Sequence, residues 1–168
     1  MKKSLVLLMV ISVFTFSSLY GDVTCMVDKG KKCNEKMCGL SCKGEASAVK
    51  KVIEKAYVNG IHINRDIEAI KKGFHPDFNM LILRDGKIVK VPIAQWIERI
   101  EEGKKKNPGP SKVKTTHKFS MVDVTGNAAV ARIEIYKDGK HTYTDYMSLY
   151  KFPDGWKIVN KIFQSHKK

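Results

Sequence analysis

The feature that most constrains the fold is a change of hydrophobic period in the second half of the chain. After residue 111, apolar residues alternate with polar ones in four runs, which is typical of β-strands. Short segments rich in Gly, Asn, Asp or Pro separate the runs and favour tight turns. The sequence therefore predicts four successive antiparallel strands: Lys112 to Val124, Ala128 to Tyr136, His141 to Phe152 and Trp156 to Phe163.

The first half of the chain has the three-and-four apolar spacing of amphipathic helices. We predict a helix from Glu45, a short helix capped by Asn64 and ended by Gly73, and a third helix from Pro92 to Gly103. Between the last two, Asp85-Gly86 predicts a hairpin. Three helices on one face of an antiparallel sheet form an α+β domain, and a curved sheet leaves a hollow between the layers.

Residues 1–21 have the layout of a secretory signal peptide. Two lysines precede the apolar run from Leu5 to Phe16, and the small residues Ser17, Ser18 and Gly21 follow it. We therefore expect cleavage and a periplasmic or secreted protein. An uncleaved membrane anchor is the alternative, although the apolar run is short for a bilayer span.

All four cysteines of the chain lie in residues 22–44, which we interpret as an N-terminal arm leading into a domain at 45–168. They are Cys25, Cys33, Cys38 and Cys42. In an exported protein an even number of cysteines favours disulfides, here two with three possible pairings. A thiolate metal site or redox module is the alternative, but the spacing matches no common zinc pattern. We predict no metal and no cofactor.

The chain is strongly basic, with a formal charge of +14. Removal of residues 1–21 takes away two lysines and leaves 29 basic against 17 acidic residues, or +12. The lysines are spread along the chain, and no nucleic-acid-binding motif accompanies them. We expect no nucleic-acid partner and at most peripheral contact with a membrane.

Three motifs carry a resemblance to a known family. They are "FHPDF" at 74–78, "VDVTGNAAVARIEI" at 122–135 and "TDYMSLYKFPDGWKIVNKIF" at 144–163. With the order of elements, they make residues 46–164 resemble the cone-shaped nuclear transport factor 2-like superfamily, and within it the putative lumazine-binding family. The resemblance implies a cone-shaped α+β fold, a small-molecule pocket at the wide end, and a homodimer formed through the outer face of the sheet.

Enzymes of this superfamily use a carboxylate as general base and a Tyr or second acid as oxyanion donor. Tyr57 lies about where the isomerases keep their Tyr, but the position resembling their base falls near Met80 to Leu83, which offers no acid. The remaining catalytic candidates are His117 and Asp145, and none is assigned.

Strand alternation suggests which side chains line the pocket. Met121 is expected on the face of His117, and Asp145 on the face of Tyr143 and Met147. Asp145 either pairs with Arg132 or faces the hollow, and the pair is favoured. The last two predicted strands mainly close the domain, and their pocket residues are Tyr143, Asp145 and Tyr146. The predicted pocket residues are Tyr57, Trp96, His117, Phe119, Arg132, Tyr143 and Asp145.

The sequence thus predicts an exported domain that binds a small molecule or serves in assembly, without catalysis. The first alternative is an acid–base enzyme of isomerase, cyclase or dehydratase type that acts on a small carbonyl compound. The second is a cysteine-based metal or redox module.

Overall fold

The structure is a computed structural model. The part of the chain that it describes contains three helices and six strands. The structure describes the backbone of residues 35–166 and side chains from residue 44 onward. The helices are α1 (Glu35–Val52), which continues as a π-helical segment (Ile53–Ile63), α2 (Ile67–Gly73) and α3 (Ile93–Lys106). The strands are β1 (Phe74–Arg84), β2 (Lys87–Pro92), β3 (Thr115–Thr125), β4 (Ala128–Lys137), β5 (Lys140–Phe152) and β6 (Gly155–Ser165).

Several N-terminal predictions lie outside the described residues. These are the signal peptide and Cys25 and Cys33. Cys38 and Cys42 belong to α1, but their side chains also lie outside the described part of the chain. Helix α1 begins at Glu35, earlier than the predicted start at Glu45. Among residues 35–166, no helix has both the length and the apolar character needed to cross a bilayer.

Helix α2 is capped by a different residue from the one predicted. Asp66 is the N-cap, because its side chain accepts a hydrogen bond from the backbone N–H of Ala69 at 3.1 Å. Asn64 instead ends the π-helical segment, and its backbone N–H donates to the carbonyl of Asn59 at 2.7 Å. The predicted cap at Asn64 is therefore wrong, since Asp66 holds the extended N-cap conformation.

The six strands form one curved sheet in the order β2-β1-β6-β5-β4-β3. The predicted hairpin is present, with Asp85 and Gly86 at φ 50° and 73°, as a two-residue turn of this kind requires. Strands β3 to β6 form the predicted antiparallel meander. However, β1 runs parallel to β6, with Met80 opposite Lys161. The sheet is therefore mixed rather than purely antiparallel, because the early hairpin extends the open edge of the last strand.

β-bulges in β3 and β6 each change the face of the sheet to which the following side chains point. In β3, Phe119 pairs with Ile133 and Met121 with Arg132, so that Ser120 is the extra residue. Met121 consequently points outward and is 46% exposed. The prediction that it shares a face with His117 is wrong for this reason. A second bulge lies in β6 at Val159.

The hydrophobic core lies between the helices and the inner face of the sheet. Fully buried members include Ile53, Tyr57, Phe78, Ile133 and Ile158. The burial of these apolar side chains supplies the main driving force for packing the two layers. One end of this interlayer space is not filled and holds the candidate site.

Candidate functional site

A cavity of about 290 Å³ lies between the π-helical segment, α3 and the inner face of β1, β5 and β6. Its lining is mostly aromatic and aliphatic, with a single lysine. The lining residues are Tyr57, Ile61, His62, Met80, Trp96, Tyr143, Lys161 and Phe163. A concave, mainly apolar site with few polar groups is typical of small-molecule binding.

Three polar side chains form a closed hydrogen-bonded cluster at this cavity, which we call the Tyr57–Asp145–Lys161 cluster. The Tyr57 hydroxyl donates to Asp145 Oδ2 at 2.6 Å. Lys161 Nζ donates to the Tyr57 oxygen at 3.1 Å and also forms an ion pair with Asp145 Oδ1. All three residues are buried, with exposed fractions of 1%, 0% and 3%. Burial is tolerated because each polar group has a partner.

The bulge at Val159 is what turns Lys161 inward. Before the bulge, Trp156 and Ile158 face the core, and the extra residue then shifts the alternation by one. After it, Lys161 lies opposite Met147, and Phe163 lies opposite Asp145. The inward-facing residues of β5 and β6 thereby bring the ammonium and the carboxylate together.

The environment shifts the proton affinities of two members of the cluster. Burial lowers the pKa of the Lys161 ammonium below its ordinary value, and the neighbouring Asp145 carboxylate opposes this effect. Burial raises the pKa of the Tyr57 phenol well above 10.0, and the charge and hydrogen bond of Asp145 raise it further. Tyr57 is therefore a neutral phenol at every physiological pH.

Aromatic rings surround the lysine. Lys161 Nζ lies 4.5 Å from the ring centroid of Phe163, 5.0 Å from that of Tyr57 and 5.7 Å from that of Trp96. Such contacts are favourable cation–π interactions, and they gain strength where water is excluded. The arrangement can hold a small planar molecule against the rings while the ammonium donates a hydrogen bond to an oxygen of that molecule.

The structure brings together four of the predicted site residues. Tyr57, Trp96 and Tyr143 line the cavity, and Asp145 is bonded to Tyr57 beside it. Asp145 also lies on the predicted face, since its neighbours Tyr143 and Met147 pair with inward-facing residues of β4.

The other predicted pocket residues lie elsewhere. His117 and Phe119 sit on the inner face of β3, where His117 Nε2 lies 3.4 Å from Glu54 Oε1, and neither lines this cavity. Arg132 is on the outer face, 3.7 Å from Glu134 Oε1.

The favoured pair between Arg132 and Asp145 is therefore wrong, because the two side chains point to opposite faces of the sheet. Asp145 pairs with Lys161 instead. Tyr146 is likewise outside the pocket, since it is 44% exposed on the outer face.

Sequence reasoning missed Lys161, the basic residue of the site. By simple alternation, Lys161 falls on the same face as Lys157 and Val159, and lysines usually face solvent. It also missed Ile61, His62, Met80 and Phe163. A buried acid at Asp145 needs a cation, and this was the one signal that could have led to Lys161.

Comparisons with known proteins agree with this architecture. The family model described as putative lumazine-binding matches residues 44–164, more than half of the chain. A nuclear transport factor 2-like protein of unknown function from Shewanella baltica OS155 has a TM-score of 0.60 and 24% identity, over 75% of this chain and 97% of that chain. A similar protein from Silicibacter pomeroyi DSS-3 has a TM-score of 0.61 and 18% identity, over 74% and 98% of the two chains.

A third such structure, from Methylobacillus flagellatus KT, has a TM-score of 0.57 and 23% identity, over 74% of this chain and 94% of that chain. At these identities the likeness shows the fold alone. A search of curated proteins gave no match. The family resemblance and the α+β fold inferred from the sequence motifs are confirmed.

Proposed function

The chain belongs to the putative lumazine-binding family of nuclear transport factor 2-like proteins, and on that premise we propose that it binds a small planar molecule in the cavity around Lys161. The ligand has an apolar ring system and at least one oxygen that accepts a hydrogen bond. The cavity of about 290 Å³ limits it to a compact molecule.

The observation that carries this proposal is the buried Lys161 ammonium among aromatic rings. A lysine that is 3% exposed keeps its charge only because Asp145 and Tyr57 compensate it. A hydrogen bond from such a charged group contributes about 1.5–3 kcal/mol. The rings of Trp96, Tyr143 and Phe163 supply the apolar contact that the rest of the ligand needs.

The Tyr57–Asp145–Lys161 cluster favours binding over general-base catalysis. Asp145 is the acidic candidate from the sequence, but both its oxygens are already engaged, one by Tyr57 and the other by Lys161. A carboxylate in this state abstracts a proton from a ligand carbon poorly, because doing so leaves the buried lysine without its counter-ion. His117 lies away from the cavity.

Trp96 provides a direct test of ligand binding. In a Trp156→Phe variant, Trp96 is the one remaining tryptophan and it lines the cavity. We expect lumazine, or the dye 8-anilinonaphthalene-1-sulfonate, to quench its emission in a saturable manner. Tyr143→Ala in this background should weaken binding about tenfold, as the loss of one aromatic contact does.

His117→Ala is the matched control, because His117 also lies on the inner face but does not line the cavity. It should leave the titration unchanged. Failure of both probes to quench Trp96, or an equal effect of the two substitutions, would contradict the proposal.

We also propose a homodimer formed through the outer face of the sheet. This face carries apolar side chains on three adjacent strands, and exposed apolar patches of this kind are common at protein–protein contacts. They are Val130, Tyr146, Tyr150 and Ile162, each between 43% and 54% exposed. A symmetric pairing of two such faces would bury them on both copies.

We further propose that the protein is exported to the periplasm or secreted. The support is the charged, apolar and small-residue layout of residues 1–21. In an oxidising compartment the four cysteines of the N-terminal arm would then form two disulfides.

A further inference from the structure

The buried amine of Lys161 is arranged for covalent chemistry with a carbonyl compound. It lines the cavity and contacts both a carboxylate and a neutral phenol. We propose that a small aldehyde or ketone bound in the cavity forms an imine with Lys161. This inference rests on the proposed function, since the carbonyl compound must first occupy the same cavity.

The hydrogen bonds of the Lys161 ammonium leave one direction from which a ligand can approach Nζ. A lysine ammonium has three N–H bonds. Two are directed at Asp145 Oδ1 and the Tyr57 oxygen, and within the described part of the chain no third oxygen or nitrogen is hydrogen-bonded to Nζ. Because Lys161 also lines the cavity, a ligand carbonyl can approach Nζ from the side away from Asp145.

The residues around the amine can donate and accept the protons that the reaction transfers. Nζ passes one proton to Asp145, and its lone pair forms a bond to the carbonyl carbon. The π electrons of the C=O bond move to oxygen, which takes up the proton lost by nitrogen as the carbinolamine forms. Tyr57 and Asp145 are the proton donors and acceptors within reach.

Loss of water completes the step. The second proton on oxygen comes from the nitrogen by way of Asp145, the C–O bond breaks, and the nitrogen lone pair forms the C=N bond. The sum is Lys–NH₃⁺ plus R₂C=O giving Lys–NH⁺=CR₂ plus H₂O, with no oxidant or reductant. The product keeps its positive charge, so the ion pair with Asp145 is retained.

The electrostatics of the site support this chemistry. Burial lowers the pKa of Lys161, so a larger fraction of its amine is neutral at a given pH than for an exposed lysine. The titratable groups that face this amine are Asp145 and Tyr143 of β5 and Tyr57 and His62 of the π-helical segment. The apolar rings of Trp96 and Phe163 suit an aryl or short alkyl substituent on the carbonyl carbon.

Reductive trapping tests the inference. The full-length protein is incubated with benzaldehyde and sodium cyanoborohydride, and the adduct is located by peptide mass spectrometry. We expect Lys161 to be labelled faster than the exposed lysines Lys104, Lys105 and Lys106, because its amine lines the cavity that holds the aldehyde and a larger fraction of it is neutral. Its labelling should also reach a plateau at a lower pH than theirs.

Two variants separate specific from general labelling. Lys161→Arg keeps the positive charge but cannot form an imine, so the fast-labelled position should disappear. Lys157→Arg is the matched control on the same strand, since Lys157 contacts Asp154 and the carbonyl of Lys72, away from the cavity. It should leave the labelling of Lys161 unchanged.

The readouts distinguish failure of this inference from failure of the proposed function. Benzaldehyde that quenches Trp96 in the Trp156→Phe protein without faster labelling at Lys161 overturns the imine and leaves ligand binding standing. Absence of faster labelling, together with failure of benzaldehyde, lumazine and the dye to quench Trp96, overturns both. Because the labelling comparison is made within the wild-type protein, it decides the question even where a variant does not fold.

Discussion

At the residue scale, the Asp145–Lys161 pair is energetically expensive to bury. Each charge loses its hydration, at several kcal/mol per ion, and only the mutual attraction and the hydrogen bonds to Tyr57 offset that loss. Replacing such a pair with apolar residues is often neutral or stabilising. Removing only one partner leaves the other charge buried without a counter-ion. The pair therefore contributes little net stability to the folded state, which agrees with a role in ligand binding.

A double-mutant cycle measures this coupling. We expect Asp145→Asn to lower the free energy of unfolding by about 3–5 kcal/mol, because it leaves the Lys161 ammonium buried without a counter-ion. Lys161→Met should cost a similar amount, and the double variant should lose clearly less than the sum of the two. Urea unfolding at neutral pH gives the values.

Lys157→Met is the comparison for this cycle. Its partner Asp154 is largely exposed, and an ion pair of that kind contributes about 0–1 kcal/mol. Strict additivity of the Asp145 and Lys161 substitutions would show that the pair is not coupled.

At the element scale, close packing between α2 and the π-helical segment helps to fix the helical layer above the cavity. Gly73 ends α2, as predicted, although its backbone is not left-handed, because positive φ is found at other residues. A Cβ at Gly73 would lie 2.3 Å from the Cβ of Ala56. The glycine is required by this contact, which lets Ala56 and its neighbour Tyr57 approach α2.

Gly73→Ala should therefore destabilise the domain by about 1–3 kcal/mol or more, since the added methyl group forces the two helices apart. Thermal or urea unfolding measures the change. Gly103→Ala is the control, because its Cβ would meet no atom within 4 Å and the site is helical. It should stabilise the protein by about 0.5–1 kcal/mol. Equal effects of the two substitutions would contradict the packing argument.

At the scale of the whole molecule, the two faces of the sheet differ in what they contact. The inner face closes the core and the cavity, while the outer face presents Val130, Tyr146, Tyr150 and Ile162 to solvent. The chain also carries a high positive charge, which opposes non-specific association. The proposed symmetric contact fits both features.

Native mass spectrometry of the protein purified from its own host tests assembly and export together. We expect a dimer of chains that lack residues 1–21, each lighter by about four hydrogens for two disulfides. Tyr150→Glu with Ile162→Glu should yield monomers, because like charges would then be buried in the contact. Val113→Glu, at an exposed apolar residue outside the strands, should leave the dimer intact. A monomer that retains residues 1–21 would contradict both proposals.

Most of the element pattern could be read from the sequence because it depends on local chemistry. Asp85-Gly86 turns a hairpin through its own backbone preferences, and alternation placed Asp145 on the face of Tyr143 and Met147 without reference to any distant residue. The predicted cap at Asn64 failed because a neighbouring residue, Asp66, satisfies the same requirement better. The parallel pairing of β1 with β6 joins residues that are far apart in the chain, so no local pattern reveals it.

The sequence by itself determined the α+β class, the family and the presence of Tyr57, Trp96, Tyr143 and Asp145 near one another. These follow from hydrophobic period, turn residues and motifs, all of which act over short stretches of chain. Only the tertiary structure decided that Lys161 completes the site. A bulge at Val159 exists only relative to the register of the partner strand, and that register is set by the packing of the whole core.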